Sequence, residues 1–459
     1  MKRIRHLSAL LLPIAALGIA RAADPVVSDV SMTWNATARE ASIAYTLSNA
    51  PAVVTLDLVD SAGVSIGGEK IGGHARGDVF CKVAENGRRA IVWHPDTDLA
   101  LLPADGVRAV VSAWSTSAPP AYLVAPLIEG AAASLEYYPS EDFLPGGLHA
   151  NRRYKSDRLV MRRIEAAGVA WAMGTSDAEA AAIPGWTRPA AETPHAVTLD
   201  SDYYMAVFET THAQYRCLTG GSMPPSVDNA NFVVDGNDRP VEQAFYLHIR
   251  GATQWPDPPS ATSPLGKLRT RTGIAFDLPS EAQWEFACRA GNAGATWGDG
   301  TAIAPTVIWY KEYDANGTPR YAANELVQAS MPGRNATTGG LWLKPGTDEY
   351  YKVSPATTGP TNGTAIVGTT PPNSWGLHEM HGNVAELTLD YFKEDIAGLN
   401  GAVCSDPASG KRILRGGAFD TRSVLWCRPA ARRSLTYTGN VNNDRYVYDI
   451  GFRVCCPIP

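Results

Sequence analysis

Residues 378–381 read His378-Glu379-Met380-His381, two imidazoles flanking a carboxylate. Zinc-dependent peptide hydrolysis needs two histidines four positions apart on one helical face, with the glutamate between them as general base. Here the histidines are three apart and Gly382 follows, so the segment reads as a glycine-containing loop and the protease is rejected. No P-loop or dinucleotide fingerprint occurs in the chain. The other residues capable of chemistry are the seven cysteines, Cys81, Cys217, Cys288, Cys404, Cys427, Cys455 and Cys456. They show no Cys-x-x-Cys or Cys/His spacing of the kind that holds zinc.

The compartment decides what those thiols do. The chain opens with Lys2, Arg3 and Arg5, then an apolar run from Ala9 to Ala20, then small residues through Ala22-Ala23-Asp24. A basic head, a short apolar core and a small-residue exit form a secretory leader, expected over residues 1–23 and cleaved after Ala22 or Ala23. The run is shorter than the ~20 residues that span a bilayer, and no second one follows, so no membrane span is expected after cleavage. The protein is therefore expected to be secreted or periplasmic, where disulfides persist, and an odd cysteine count leaves at least one thiol unpaired. Ordinary globular composition, with 45% hydrophobic and 19% charged residues, predicts a substantial core, and 459 residues suggest two or three domains. A net charge of -6, with no dense basic run after the leader, excludes nucleic acid as a partner.

The elements that must position any site fall into two regions. Residues 24–115 carry short alternating strands at Ser42–Leu47, Ala52–Val59, Ala90–Trp93 and Val107–Val111, separated by turns such as Asn49-Ala50-Pro51 and Gly72-Gly73. That pattern predicts a small β-sandwich of immunoglobulin or fibronectin type, without clustered polar residues. Residues 116–158, rich in Ala, Pro and Gly, are expected to be a connector with one or two strands. A second domain is expected over 159–459. Within it Thr211 with Gln214, and Ser280 with Gln283, have the spacing of capping boxes, with stops at Gly220-Gly221 and Gly291. The overall class is α+β: a sandwich followed by a loop-rich domain.

From Trp171 onward the residues resemble, in order, the sulfatase-modifying-factor (formylglycine-generating-enzyme) domain family. Met173-Gly174-Thr175 with Glu192-Thr193-Pro194-His195 is similar to its opening segment, and Phe208-Glu209-Thr210-Thr211 with Gln214-Tyr215 to its first helix start. Arg239-Pro240-Val241-Glu242 follows, then Leu278-Pro279-Ser280-Glu281-Ala282-Gln283-Trp284-Glu285, Trp297-Gly298 and Asn373 through Gly382-Asn383-Val384-Ala385-Glu386. Arg415-Gly416-Gly417-Ala418, Arg428 through Arg432, and Gly451-Phe452-Arg453 match the closing motifs. The resemblance implies a mixed, loop-rich fold related to C-type lectins. It does not carry the activity with it, since function lives in sites grafted on folds.

In the oxidase members of that family, two thiolates after the Arg-Gly-Gly-Ser segment bind copper(I) and engage the substrate cysteine, soft ligands for a soft ion. The matching positions here are Thr421 and Trp426, the serine is Ala418, and the tryptophan of the asparagine-valine loop is Ala385. Cys427 lies one position beyond the second thiolate and is the sole, weak catalytic candidate. It is expected to be structural instead, bridged to Cys288. Copper is accordingly not expected, and no other catalytic residue is assigned. The family's metal loop implies a calcium site with side-chain ligands Glu379 and Glu386 and backbone carbonyls of Gly382 and Val384, hard oxygen donors that suit Ca²⁺. The alternative is an ion-free loop held by hydrogen bonds from Asn383. Together these substitutions lean the function toward a non-catalytic, protein- or glycan-binding member in an exported compartment. The competing expectation is an oxidase that converts a sulfatase cysteine to formylglycine.

Overall fold

The computed structural model describes residues 23–95, 106–128, 134–183, 185–222, 237–292, 364–418, 424–436 and 449–459, together with four short strands between residues 312 and 352. Residues 1–22 of the leader, Trp297-Gly298 and Thr421 lie outside the described residues.

Seven strands build the N-terminal region: β1 (Val26–Asn35), β2 (Glu40–Ser48), β3 (Ala52–Val59), β4 (Ala75–Gly77), β5 (Cys81–Val83), β6 (Gly87–Trp93) and β7 (Arg108–Ser115). They form two sheets, ordered β1-β2-β6-β4 and β5-β3-β7. The alternation in β2 works as the sequence implies, turning Ala41, Ile43, Tyr45 and Leu47 inward, where Ile91 and Trp93 of β6 meet Val54, Leu56 and Leu58 of β3. Strand β3 is different, because nearly all its residues are buried. Its Val53 faces the other way and joins Leu123, Tyr137 and the core of the second region. A strand covered on both faces carries apolar residues at successive positions, as Ala52-Val53-Val54 does here.

The stretch expected as a connector supplies two strands, β8 (Tyr122–Pro126) and β9 (Glu136–Tyr138). They extend a five-stranded sheet with β10 (Arg158–Ile164), β13 (Tyr203–Ala206) and the chain's last strand β22 (Cys455–Pro457), in the order β22-β13-β10-β8-β9. Leu159 pairs with Ala125 and Met205 with Cys455, so the sheet closes N-terminal, middle and C-terminal segments onto one another. On one face of this sheet Val124, Val160, Val207 and Phe208 share a core with the sandwich. Burying a side chain of that size contributes about 1.5–3 kcal/mol, so the sandwich is fused to the second region, not tethered to it.

The second region continues with the paired strands β11 (Ala170–Met173) and β12 (His195–Thr198) and helices α1 (Asp177–Ala181), α2 (His212–Thr219), α3 (Tyr246–Arg250), α4 (Pro264–Thr272) and α5 (Glu281–Arg289). Both expected capping boxes are present: Thr211 with Gln214 opens α2 and Ser280 with Gln283 opens α5, each with reciprocal bonds. Helix α2 ends at Gly220 in the left-handed region, as its glycine predicts, whereas α5 turns there one residue early, at Ala290 with φ 49°. Two hairpins, β14 (Glu312–Tyr313) with β15 (Pro319–Arg320) and β16 (Leu341–Leu343) with β17 (Tyr350–Lys352), precede the last sheet. That sheet runs β20-β19-β18-β21, from β18 (Ala385–Tyr391), β19 (Lys411–Arg415), β20 (Arg433–Thr436) and β21 (Ile450–Gly451). Among the described residues no helix is long and apolar enough to cross a membrane.

Candidate functional site

The loop from Asn373 to Val384 is the most densely wired part of the second region. The Asn373 side chain accepts from the N–H groups of Trp375 and Leu377 and donates to the Ala287 carbonyl, tying the loop to α5. Glu379, Gly382 and Asn383 all have positive φ, at 50°, 95° and 64°. Only hydrogen bonding on every side sustains so many left-handed residues in so short a span. Asn383 supplies much of it: Nδ2 donates to Glu209 and to the Ala365 carbonyl, while Oδ1 accepts from the Ala365 N–H.

The two carboxylates expected to bind calcium are both buried and both already engaged. Glu379 accepts from the backbone N–H groups of Gly368, Thr369 and Thr370 and from the Thr370 hydroxyl, at 2.9–3.2 Å. Burial pushes its carboxyl up and these donors pull it back, leaving it above the ordinary range. Glu386 takes both nitrogens of the Arg453 fork at 2.6 Å, and its Oε2 also accepts the Trp284 indole N–H at 2.7 Å. Arg453 spends its remaining N–H groups on the carbonyls of Ala206, Val207 and His378. Glu209 completes the cluster, and burial, then Glu386, then Glu379 raise its carboxyl well above the usual range. Arg453 thus pairs with Glu386 beside Glu209, whose carboxyl is held toward its neutral form. At Gly382 and Val384 the backbone N–H groups donate to Gly416 and to Glu209. As folded, every side-chain oxygen of Glu379 and Glu386 accepts from a protein donor, so a Ca²⁺ ion there competes with those donors. Among the described residues no group of three His, Cys, Asp or Glu side chains is placed to hold a metal ion.

The two histidines of the His-Glu-Met-His segment point to different surroundings. His378 donates its Nδ1–H to the Thr370 carbonyl and packs on His149 and Phe208, and burial lowers its pKa to about 4. His381 contacts the Cys427 carbonyl through Nδ1 at 2.8 Å and lies 3.9 Å from the Cys288 sulfur. They converge on nothing, in keeping with their spacing.

Where the family's oxidase residues would lie, Ala418 and Ala385 are fully buried methyl groups and Trp426 presents a 44%-exposed indole. Cys427 is completely buried, and desolvation raises its thiol far above the range in which a thiolate forms near neutral pH. It sits under Gly417, so close that any side chain there would collide with the Cys427 sulfur. The bridge expected between Cys427 and Cys288 is not formed. All seven cysteines are free thiols, and the His381 ring lies against the Cys288 sulfur while its Nδ1 engages the Cys427 backbone.

The sequence alone left the jobs of the arginines unassigned. Arg428 binds Thr175 and both oxygens of Glu192, Arg432 forks onto Glu281 at 2.6 and 2.9 Å, and Arg415 engages Glu285, which also accepts from Arg289. These pairs clamp α5 to the strand end and to the opening loop. The partners of Arg415, Arg428 and Arg432 lie between 130 and 253 residues away in sequence, so the motif signalled a match without revealing a mate.

Residues 162–457 match the profile of the sulfatase-modifying factor enzyme 1-like domain. The chain is 24% identical over 359 residues to a formylglycine-generating enzyme of Bos taurus, covering 72% of this chain and 82% of that protein. It is 25% identical over 356 residues to the Mus musculus formylglycine-generating enzyme, covering 71% and 82%. Among solved structures it is similar to PvdO from Pseudomonas aeruginosa, at 18% identity and TM-score 0.42 over 65% of this chain and 94% of that one. Treponema denticola variable protein 1 is similar at 21% identity and TM-score 0.40, over 65% and 95%.

Proposed function

The chain belongs to the sulfatase-modifying-factor family, and on that premise we propose that it is an exported, non-catalytic member whose irregular loops bind a protein or glycan. One observation carries the reading. Cys427, the single cysteine near the oxidase position, is sealed in the core with its thiol pushed up and no partner thiol beside it. Copper(I) in a two-thiolate site needs both sulfurs deprotonated and reachable. An indole at residue 426 and methyl groups at 418 and 385 offer neither a soft ligand nor a polar contact for a substrate cysteine.

The competing reading, a formylglycine-generating oxidase, takes its support from the names of the two mammalian relatives. A sulfatase is the partner that reading supplies. Competition with a chromogenic copper(I) chelator separates the two. The binding reading expects the protein to withdraw no stoichiometric copper(I), whereas a tight one-to-one site lost in Cys427→Ser would overturn it.

For the asparagine loop we take the hydrogen-bonded form. A Ca²⁺ ion bound by Glu379 and Glu386 has to draw those carboxylates away from residues 368–370, from Arg453 and from Trp284. Calcium binding there is the competing proposal, and chelation decides between them.

A further inference from the structure

A cleft of about 490 Å³ opens where the sandwich meets the five-stranded sheet. Its walls come from the Gly72–Cys81 segment, from β8 and β9, and from the turn that carries Asn151 to Arg158. Every lining residue precedes residue 162, where the match to the family profile begins. The cleft therefore lies outside the residues that profile covers.

Its chemistry is specific. Arg76, Arg153 and Arg158 line it against a single carboxylate, Glu136. Arg158 is 3.3 Å from Glu136, and Tyr138 donates its hydroxyl to the other oxygen of the same carboxylate at 2.9 Å. Arg153 is forked onto Asp157. Arg76 is exposed, and among the described residues no hydrogen bond or ion pair engages its guanidinium. The floor is aromatic, with the Phe80 and Tyr138 rings 5.0 Å apart. The volume falls within the about 300–1,000 Å³ of small-molecule sites, which combine an apolar floor with a few placed polar groups. A free guanidinium seeks a planar oxyanion. A carboxylate such as Glu136, with capacity left after two donors, accepts hydroxyls.

We propose that this cleft binds an acidic sugar, with the sugar's carboxylate on Arg76 and its hydroxyls toward Glu136 and the Arg158 side. The cleft's net positive lining sets the sign of the ligand. The full mature chain should be titrated calorimetrically with glucuronate and, in parallel, with glucose as the uncharged counterpart. Glucuronate is expected to bind saturably, with affinity falling as salt is raised, and glucose is expected to give no binding. Arg76→Ala should weaken glucuronate binding by about tenfold with an unchanged melting curve, since the side chain makes no contact that folding needs. Arg76→Lys should recover part of the loss, because it restores the charge without the fork. Absence of saturable glucuronate binding overturns the proposal, as does equal binding of glucose or an Arg76→Ala variant that binds like the parent.

Discussion

At the scale of single residues, the fold has already committed the charges and thiols that could do chemistry. Glu386 and Arg453 are both fully buried and paired through two 2.6 Å bonds. Removing one partner of such a pair leaves an uncompensated buried charge, which costs about 3–5 kcal/mol. Glu386→Gln is therefore expected to lower stability by roughly 3 kcal/mol in urea unfolding. If no ion shares the site, chelator leaves the melting temperatures of parent and variant equally unmoved. A parent that melts lower in chelator and recovers with calcium would establish the metal, because an ion that binds only the folded state stabilises it by mass action. Cys427 gives a second test. A fully buried, protonated thiol should resist alkylation in the native protein and react only on unfolding. Fast native labelling at Cys427, located by peptide mapping, would show that the thiol is reachable. Little of this was legible in advance. The motif Gly451-Phe452-Arg453 announced a family but not that Arg453 would neutralise a glutamate 67 residues earlier, because such pairings are set by tertiary contact and leave no local pattern.

At the scale of elements, what is local in the chain was readable and what depends on neighbours was not. The capping boxes at Thr211 and Ser280 could be seen four residues at a time, and both form. They are not equivalent, however. Ser280 serves its own helix, whereas the Thr211 hydroxyl also donates to the Lys155 carbonyl at 2.6 Å in a buried setting. Ser280→Ala should cost about 1 kcal/mol, and Thr211→Ala about 1 kcal/mol more, for the buried carbonyl left without a donor. Denaturant midpoints of the two variants provide the comparison, and equal losses would mean that the second bond contributes nothing. Strands β2, β3, β6 and β7 also followed from alternation. Strands β4 and β5 did not, being three residues each with no period to detect, and β1 is mostly exposed and carries a register shift between Ser28 and Ser31. The Ala-, Pro- and Gly-rich stretch looked like a connector because its composition is that of loops, yet Tyr122–Pro126 is buried at every position. Its partners in β10 and the sandwich supply the order that its own residues do not.

At the scale of the whole molecule, the sandwich and the family domain share a core, with Val124, Val160, Val207 and Phe208 packed among sandwich residues. Expressing residues 116–459 alone should expose that surface, so the fragment is expected to aggregate or melt well below the full chain. A monodisperse fragment melting with the parent, seen by size exclusion and calorimetry, would make the two regions independent. The shared core also means that the domain carrying the family's motifs is braced by a region the family match does not include. Family membership was visible because its motifs run in order through the chain. Thr421 and Trp426 could be read directly, because they are residue identities at single positions. Whether this member oxidises cysteine is decided by incubating the purified protein with copper, oxygen and a peptide bearing a sulfatase-motif cysteine, then weighing the peptide. A non-catalytic member leaves the mass unchanged, and the loss that marks conversion of cysteine to formylglycine would overturn that reading.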